Sequence, residues 1–420
     1  MRVLVTAYAY RYGVGSEAGV GWNWVYAMAS RGYEVTVFTR FEHANIARTD
    51  LINIPTHISE KIKVLAVGKR GLERLALSNR LFTYPYQYVW QFYAYKAAAA
   101  LVKETHYDVL HSLTYGGVRI PSFLGLLERP SILGPIGGAE MAPLALVAPM
   151  GLVATVKETM RWISNVLTYF SPINLLKLRK FTRILFRTPE SFKFFGSRYP
   201  EKSFVLADIG TPDQRAVKRS NKFSDKAALN CIFAGRFLYW KGGEIALRGF
   251  AHFLKSGGKG RLTMIGEGPS ARKWKRIANQ LNIAEYVDWP GWLEHNEFLK
   301  SLASCDAFVF PSLHDSGGTV VYEALCAGAP VVCLNLGGPG YLLSKIGLET
   351  IPARGYSFAQ VSKLVGEALL ELHRRPAAER LDVEAVNAYY ESNKWSDLVQ
   401  KAYRDFDPEL STDVQLTEIA

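Results

Sequence analysis

The sequence predicts an α/β protein of two domains, each built on a parallel sheet. Three observations carry this. The chain has 420 residues, more than one ordinary core organises. A strand, a helix and a second strand follow one another within the first 39 residues. A second strand–helix series begins near Cys231. Hydrophobic residues make up 49% and charged residues 21%, a balance that builds packed cores rather than a disordered chain.

The elements follow in order. Residues 3–7 read as a short buried strand. A glycine-rich turn from Gly13 to Gly21 comes next, then a helix over 22–30 stopped by Gly32, then a strand over 34–39. Such a βαβ unit needs parallel pairing, because the crossover returns the chain to the same sheet edge. Further strands are predicted at 61–67, 109–112 and 131–134, with a helix over 84–103. Gly210 and Pro212, with aspartates at 208 and 213, mark a boundary around 206–213. Beyond it, strands are predicted at 231–234, 262–265, 307–310 and 331–334, the first three running into Gly235, Gly266 and Pro311. After Pro376, residues Trp395, Leu398, Val399, Ala402 and Phe406 share helical spacing. The predicted organisation is a first domain over 1–207, a second over 208–376, and a segment over 377–420 whose helix crosses back to the first domain before a tail.

The chain carries 50 Lys and Arg against 38 Asp and Glu, a net charge of +12. That excess favours an anionic partner: a phosphate-bearing small molecule, an acidic membrane surface or nucleic acid. The basic residues show no aromatic-interleaved recognition module, so nucleic acid is not expected. Between 150 and 187, Lys157, Arg161, Lys177, Arg179, Lys180, Arg183 and Arg187 face the single acid Glu158 among large apolar residues. Basic amphipathic helices of this kind lie on acidic membranes; the other reading is a packed helix pair with a solvated basic face. Cys231, Cys305, Cys326 and Cys333 form no CxxC pair and sit mostly in apolar runs, which reads as buried reduced thiols and a cytoplasmic protein. The opening residues read as a strand rather than a leader. No run approaches the roughly 18 apolar residues of a membrane span; the longest candidate, 142–156, is interrupted by Pro143 and Pro149.

The segment from His314 to Glu323 is the most informative for chemistry. It follows a strand and opens a helix, where open parallel sheets bind their ligands. Asp315 or Ser316 is placed to cap the helix, and Gly317 and Gly318 leave its first amides uncovered for an anionic group. Glu323 lies four residues past Thr319 and leans back toward the same ligand, where a carboxylate accepts two sugar hydroxyls at once. Asp315 could do the same for a second ring. Arg236 and Lys241 follow another strand end, five residues apart. A guanidinium fork and a compact ammonium together clamp a diphosphate and neutralise it as a leaving group. The plainer readings are an ordinary capped helix and two solvated cations.

Together these residues resemble a family. Gly235-Arg236 with Lys241-Gly242, then 265–269 (Ile-Gly-Glu-Gly-Pro), Gly291-Trp292, and Pro311-Ser312 with Asp315 and Glu323, look like the family 4 retaining glycosyltransferases, the glycosyl transferases group 1. The resemblance is most specific between Cys231 and Gly340. It implies the GT-B fold, two Rossmann-like domains facing a central cleft. It implies that Arg236 and Lys241 hold the diphosphate and that Glu323 binds the ribose. It also implies that Gly317, Gly318 and Thr319 offer amides to sugar and phosphate, and that Trp292 and Leu293 meet the base. Gly266 and Glu267 fall on the donor side, and Gly15 would approach the diphosphate from the first domain. Asp315 stands where the family usually has a glutamate touching the transferred sugar, a departure that shortens the arm. Many members carry a histidine after the strand that here runs into 134–140; this chain has none there, so His111 is the nearest catalytic candidate and Glu140 a second acceptor-side one. The implied reaction is retaining transfer from a nucleoside-diphosphate sugar, without metal or other cofactor. The implied acceptor is a saccharide, for instance a lipid-linked one in surface polysaccharide synthesis, reached by a cytoplasmic protein peripheral to the inner membrane face. The competing readings are a nucleotide-sugar epimerase on a similar fold and a basic membrane- or nucleic-acid-binding protein. A dinucleotide oxidoreductase is disfavoured, since the loop from Gly13 to Gly21 lacks GxGxxG spacing.

Overall fold

The computed structural model describes residues 1–14, 16–114, 116–207, 209–211 and 228–410. Gly15 and part of the expected boundary at 206–213 lie outside these residues. The chain divides into two compact units. The first comprises Met1–Ala139, Asn165–Asp213 and Asn393–Ala420; the second comprises Glu140–Ser164 and Gln214–Ser392.

The first unit holds a seven-stranded sheet. Its strands are β1 (Arg2–Ala7), β2 (Glu34–Thr39), β3 (Ile62–Ala66), β4 (Val109–Thr114), β5 (Ser131–Ile136), β6 (Arg183–Phe186) and β7 (Ser203–Val205). Their order is β3-β2-β1-β4-β5-β6-β7, and every pairing is parallel. A strand turns successive side chains to opposite faces. Val3 and Val5 of β1 accordingly pack in one core with Trp24, Val399 and Tyr403, while Leu4 packs in another with Tyr8, Trp90 and Phe186. Both faces are covered, as a parallel sheet requires.

The second unit holds β8 (Leu229–Ala234), β9 (Gly260–Ile265), β10 (Val287–Gly291), β11 (Ala307–Phe310) and β12 (Val331–Cys333), ordered β10-β9-β8-β11-β12 and again parallel. Cys231 and Phe233 of β8 face a core with Phe250, Trp274 and Val365. From β8 the chain builds outward through β9 and β10, then returns to the other side of β8 for β11. The loops after β8 and β11 therefore flank the point where strand order reverses, the usual ligand position in open α/β sheets.

Several expectations need correction. Residues 183–186 and 203–205 are strands, and 287–291 is a strand too, none of which short pattern alone exposed. Arg183 and Arg187 do not belong to a solvated basic face. The Arg183 guanidinium donates to Ala402 O at 2.8 Å, pairs with Asp405 and lies over the Phe204 and Phe406 rings. Arg187 is bidentate to Glu17, at 2.7 and 3.2 Å. Lys177 is buried as well, its ammonium donating to the carbonyls of Val118 and Ile120. Burial without a carboxylate partner pulls its pKa down to about 7.

The domain limits also shift. The helix Trp395–Tyr403 packs with the first unit's core, while 377–392 stays with the second. Arg380 there pairs with Asp306 at 2.8 Å, and the Tyr390 hydroxyl donates to Tyr322 O at 3.2 Å. Residues 140–164 also join the second unit, whose core takes in Leu146, Val147, Met150 and Ala154. Cys231, Cys305 and Cys333 are buried free thiols, and Cys326 is half-buried.

Candidate donor site at the carboxyl edge of the second sheet

The loop after β8 turns at Gly235 (φ +142°) and runs through Arg236 to a single 3-10 turn, Tyr239–Lys241. Gly242 (φ +80°) ends it, so close to Pro311 O that a Cβ would sit 1.9 Å away. Only glycine fits there, and its absence of a side chain locks this loop against the start of the one after β11. The two loops are stitched further: Leu313 N–H donates to Trp240 O at 2.7 Å, and the Ser312 hydroxyl to the same carbonyl at 3.2 Å.

This stitching brings Lys241 and Asp315 together across 74 residues, ammonium to carboxylate Oδ2. Each side chain is about one-fifth exposed. Burial pushes the Asp315 carboxyl up, but the Lys241 ammonium, neighbouring His314 and the Gly318 amide outweigh it and hold the group below the usual aspartate range. Lys241 also lies 5.2 Å from the Phe310 ring centre. Arg236, at the head of the same loop, is exposed.

The helix Thr319–Cys326 starts beside this pair. Its N-cap is Gly318 at φ +71°, with no side-chain cap, rather than Asp315 or Ser316. The reason is visible in the pair just described: Asp315 is drawn to Lys241, and the chain enters the helix through a left-handed residue. A Cβ on Gly318 would come within 3.0 Å of Pro339. The next helix, Gly337–Ile346, begins against the same loop, where Gly338 N–H donates to Asp315 O at 2.7 Å. Cβ atoms at 337 and 338 would lie 2.3 Å from the carbonyls of Asp315 and Ser316. The role of this second glycine pair is not predicted above; Gly-Gly-Pro-Gly after a strand is its only sequence trace. Glu323 is half-buried one turn into its helix, with His295 Nε2 at 3.8 Å.

The loops after β9 and β10 complete the edge. Gly266 (φ +128°) N–H donates to Gly291 O at 2.8 Å, and Phe237 N–H to Glu267 O at 2.7 Å. The Glu267 side chain and Trp292 are exposed, and Leu293 is half-buried. Arg236, Lys241, Gly266, Glu267, Trp292, Leu293, Asp315, Gly317, Gly318, Thr319 and Glu323 thus all lie on loops or a helix start following β8 to β11. Among the described residues, no group of three or more His, Cys, Asp or Glu is placed to hold a metal ion.

Two expected residues lie elsewhere. His111 is wholly buried in the first unit. Its Nε2 donates to Gly134 O at 2.6 Å, which leaves Nδ1 to accept from the Tyr403 hydroxyl at 2.7 Å. Burial lowers its pKa to about 4. It is a neutral core histidine with both nitrogens committed, so it is not available to an acceptor. Glu140 is buried as well, and its carbonyl accepts from Arg161 Nε at 3.2 Å. Gly15 lies outside the described residues. Sequence reasoning did not assign Glu158 to this site. It is 1% exposed on the helix Leu152–Phe170 and accepts from the Tyr239 hydroxyl and His314 Nε2, each at 2.7 Å. Its only sequence signal was being the lone acid of the basic stretch.

Residues 214–347, which contain every one of these site loops, match the family model of glycosyl transferases group 1. That match covers about a third of the chain and marks this segment as similar to the family. The chain's similarity to individual curated glycosyltransferases is partial as well. A colanic acid biosynthesis glycosyltransferase, WcaL of Salmonella typhimurium, is 22% identical over 203 residues, 45% of this chain and 50% of that protein. A glycogen synthase of Mycobacterium tuberculosis is 30% identical over 154 residues, 36% and 37% of the two chains. The chain thus spans half or less of these relatives' length. Solved structures match nearly end to end. WaaG, a glycosyltransferase of lipopolysaccharide biosynthesis, aligns at TM-score 0.58 and 16% identity over 97% of this chain and 100% of its own. Anabaena HepE with UDP-glucose aligns at TM-score 0.53 and 13% identity over 98% of both. With two parallel Rossmann-like sheets, these likenesses establish the GT-B fold.

Proposed function

We propose that the protein is a retaining, metal-independent glycosyltransferase that moves a sugar from a nucleoside-diphosphate sugar to a saccharide acceptor. The observation that carries the reading is the Lys241–Asp315 pair at the uncapped start of the helix Thr319–Cys326. A positive side chain and a helix start without a side-chain cap lie together there, the chemistry a diphosphate needs. In the proposed reaction the bond from the anomeric carbon to the phosphate oxygen breaks, and the acceptor oxygen bonds to that carbon on the same face. The acceptor's proton passes to the departing diphosphate. Lys241, Arg236 and the amide of Thr319 stabilise the charge that develops on the leaving group, Glu323 takes the ribose hydroxyls, and Asp315 reads a hydroxyl of the transferred sugar. HepE, solved with UDP and with UDP-glucose, makes UDP the first nucleotide to try. Thermal shift against UDP, GDP and ADP tests the donor site, and a chain stabilised by none of them would not fit the reading. Incubation with donor sugars and no acceptor separates transfer from epimerisation: an epimer released in place of free nucleotide would favour the epimerase.

The acceptor side of the proposal is a lipid-linked saccharide at an acidic bilayer surface. The helix Leu152–Phe170 supports it by being inside out. Leu152, Val156, Met160, Ile163, Leu167 and Phe170 share its outer face and are exposed, while Glu158 and Asn165 point inward. Lys157 on this helix, and Arg179 and Lys180 on the helix Pro172–Lys180, are exposed cations. Apolar side chains with an exposed lysine on the same helix, and that helix's one acid turned inward, match the chemistry of an anionic interface. No described helix is long and apolar enough to cross a membrane. Equal partitioning of the protein into neutral and phosphatidylglycerol vesicles would count against this face.

A further inference from the structure

We propose that Glu158 is a positioning residue of the donor site, holding the Lys241 and Asp315 loops in register through one carboxylate oxygen. The proposal deepens the glycosyltransferase reading and rests on it for the identity of the site.

Glu158 belongs to the segment Glu140–Ser164, far from the family-matched region in sequence but part of the same compact unit. Its Oε1 accepts two hydrogen bonds, from the Tyr239 hydroxyl and from His314 Nε2, both 2.7 Å long. Tyr239 stands two residues before Lys241, inside the single turn Tyr239–Lys241. His314 immediately precedes Asp315. The carboxylate therefore bonds to both loops within two residues of the ion pair they present. Between its two partners, the Trp240 ring stacks on His314 at 5.2 Å and 21°. The ammonium and carboxylate of the site are thus the free ends of a braced arch.

Burying a carboxylate is a poor way to stabilise a helix. The outer face of this helix is apolar and exposed, and an apolar residue at 158 would fill the inner position without a charge to desolvate. Glu158 Oε2 is buried with no hydrogen-bond partner, a further liability for the fold alone. Burial pushes its pKa up, but His314, the Tyr239 hydroxyl and Arg161 hold it below the usual glutamate range, so it remains the acceptor that both loops need. A site that must hold an ammonium and an aspartate at fixed separation accounts for such a group better than packing does.

The test compares Glu158→Leu, Glu158→Gln and Tyr239→Phe with the parent chain. Hydrogen exchange is read by mass spectrometry over 236–242 and 312–318, and UDP and GDP affinities by calorimetry. Glu158→Leu should keep the thermal midpoint, quicken exchange in both loops at least tenfold, and weaken diphosphate binding at least tenfold. Glu158→Gln keeps a carbonyl acceptor and should recover affinity to within about threefold of the parent. Tyr239→Phe removes one of the two bonds and should quicken exchange over 236–242 alone, which keeps the test decisive should the leucine variant not fold. Exchange unchanged in both loops, or exchange raised evenly across the unit with affinity falling only as stability falls, would overturn the proposal. A parent that binds no diphosphate but shows the expected exchange pattern would instead overturn the donor-site reading and leave the brace standing.

Discussion

Lys241→Ala tests the proposed donor site most directly. In the parent, the ammonium meets Asp315 with each side chain about one-fifth exposed, so the pair is partly desolvated and more than a surface ion pair. Removal has two separable effects. The first is on stability: Asp315 loses the partner that holds its carboxyl low, and burial then raises it. A depressed carboxylate stabilises the fold above its unfolded pKa and loses that contribution as pH falls through the folded value. The variant should lose about 1–2 kcal/mol near pH 7, at the low end for a charged group left without its partner because water reaches one-fifth of it. The parent–variant difference should shrink below about pH 4, where Asp315 protonates in the unfolded chain. The second effect is on the reaction. A preorganised positive group aimed at a developing diphosphate is worth about 2.7–4 kcal/mol, or about 10²–10³ in kcat. Urea titrations at pH 7 and pH 3.5 read the first effect, and nucleotide release at saturating donor sugar reads the second. Lys363→Ala, at an exposed lysine paired with Glu367 on the helix Phe358–Arg374, is the control. A kcat within fivefold of the parent would refute the charge-stabilising role of Lys241.

Four further outcomes are expected. Arg236→Ala should weaken UDP binding about tenfold to a hundredfold, the value of a charged hydrogen bond, with little change in thermal midpoint since the side chain is exposed; calorimetry checks both. Gly318→Ala should destabilise by about 1–2 kcal/mol, because φ is +71° and the new Cβ meets Pro339 at 3.0 Å, and urea unfolding reads it. His111 and His43 are held down to about 4 and about 3, so the unfolded chain binds more protons below pH 6.5 and stability falls as pH drops from there. His111→Gln should remove part of that slope, roughly 3 kcal/mol at pH 4, and an unchanged pH–stability curve would contradict a neutral buried imidazole. Met160→Glu with Ile163→Glu should reduce partitioning into phosphatidylglycerol vesicles more than tenfold without lowering the thermal midpoint, since both side chains are exposed.

Much of the candidate site was legible residue by residue. Gly235, Gly242, Gly266 and Gly318 take positive φ at strand ends or a helix start, and a glycine directly after an apolar run is a local signal. The spacing of Arg236 and Lys241 placed both cations on one loop, and the spacing of Asp315 and Glu323 put both acids at one helix start. Strand pattern found β1 to β5, β8, β9, β11 and β12. It missed β6 and β7, where Arg183 and Ser203 break the pattern. Arg183 is tolerated there only because Ala402 O, Asp405 and two aromatic rings receive it.

The sequence by itself determined the α/β class, the resemblance of its second half to the glycosyl transferases group 1, and which loops carry the cations and glycines, because turn chemistry and strand pattern are set by residues close together in the chain. Only the tertiary structure decided what each charged side chain meets. It turned His111 into a core residue, sealed Arg187 against Glu17, assigned 140–164 to the second unit, and set Glu158 under the two loops of the site. Those outcomes depend on partners 156 to 292 residues away: Glu158 lies 156 from His314, Arg187 170 from Glu17, His111 292 from Tyr403. Whether a buried charge or imidazole is satisfied is a property of the packed neighbourhood, which no local window contains.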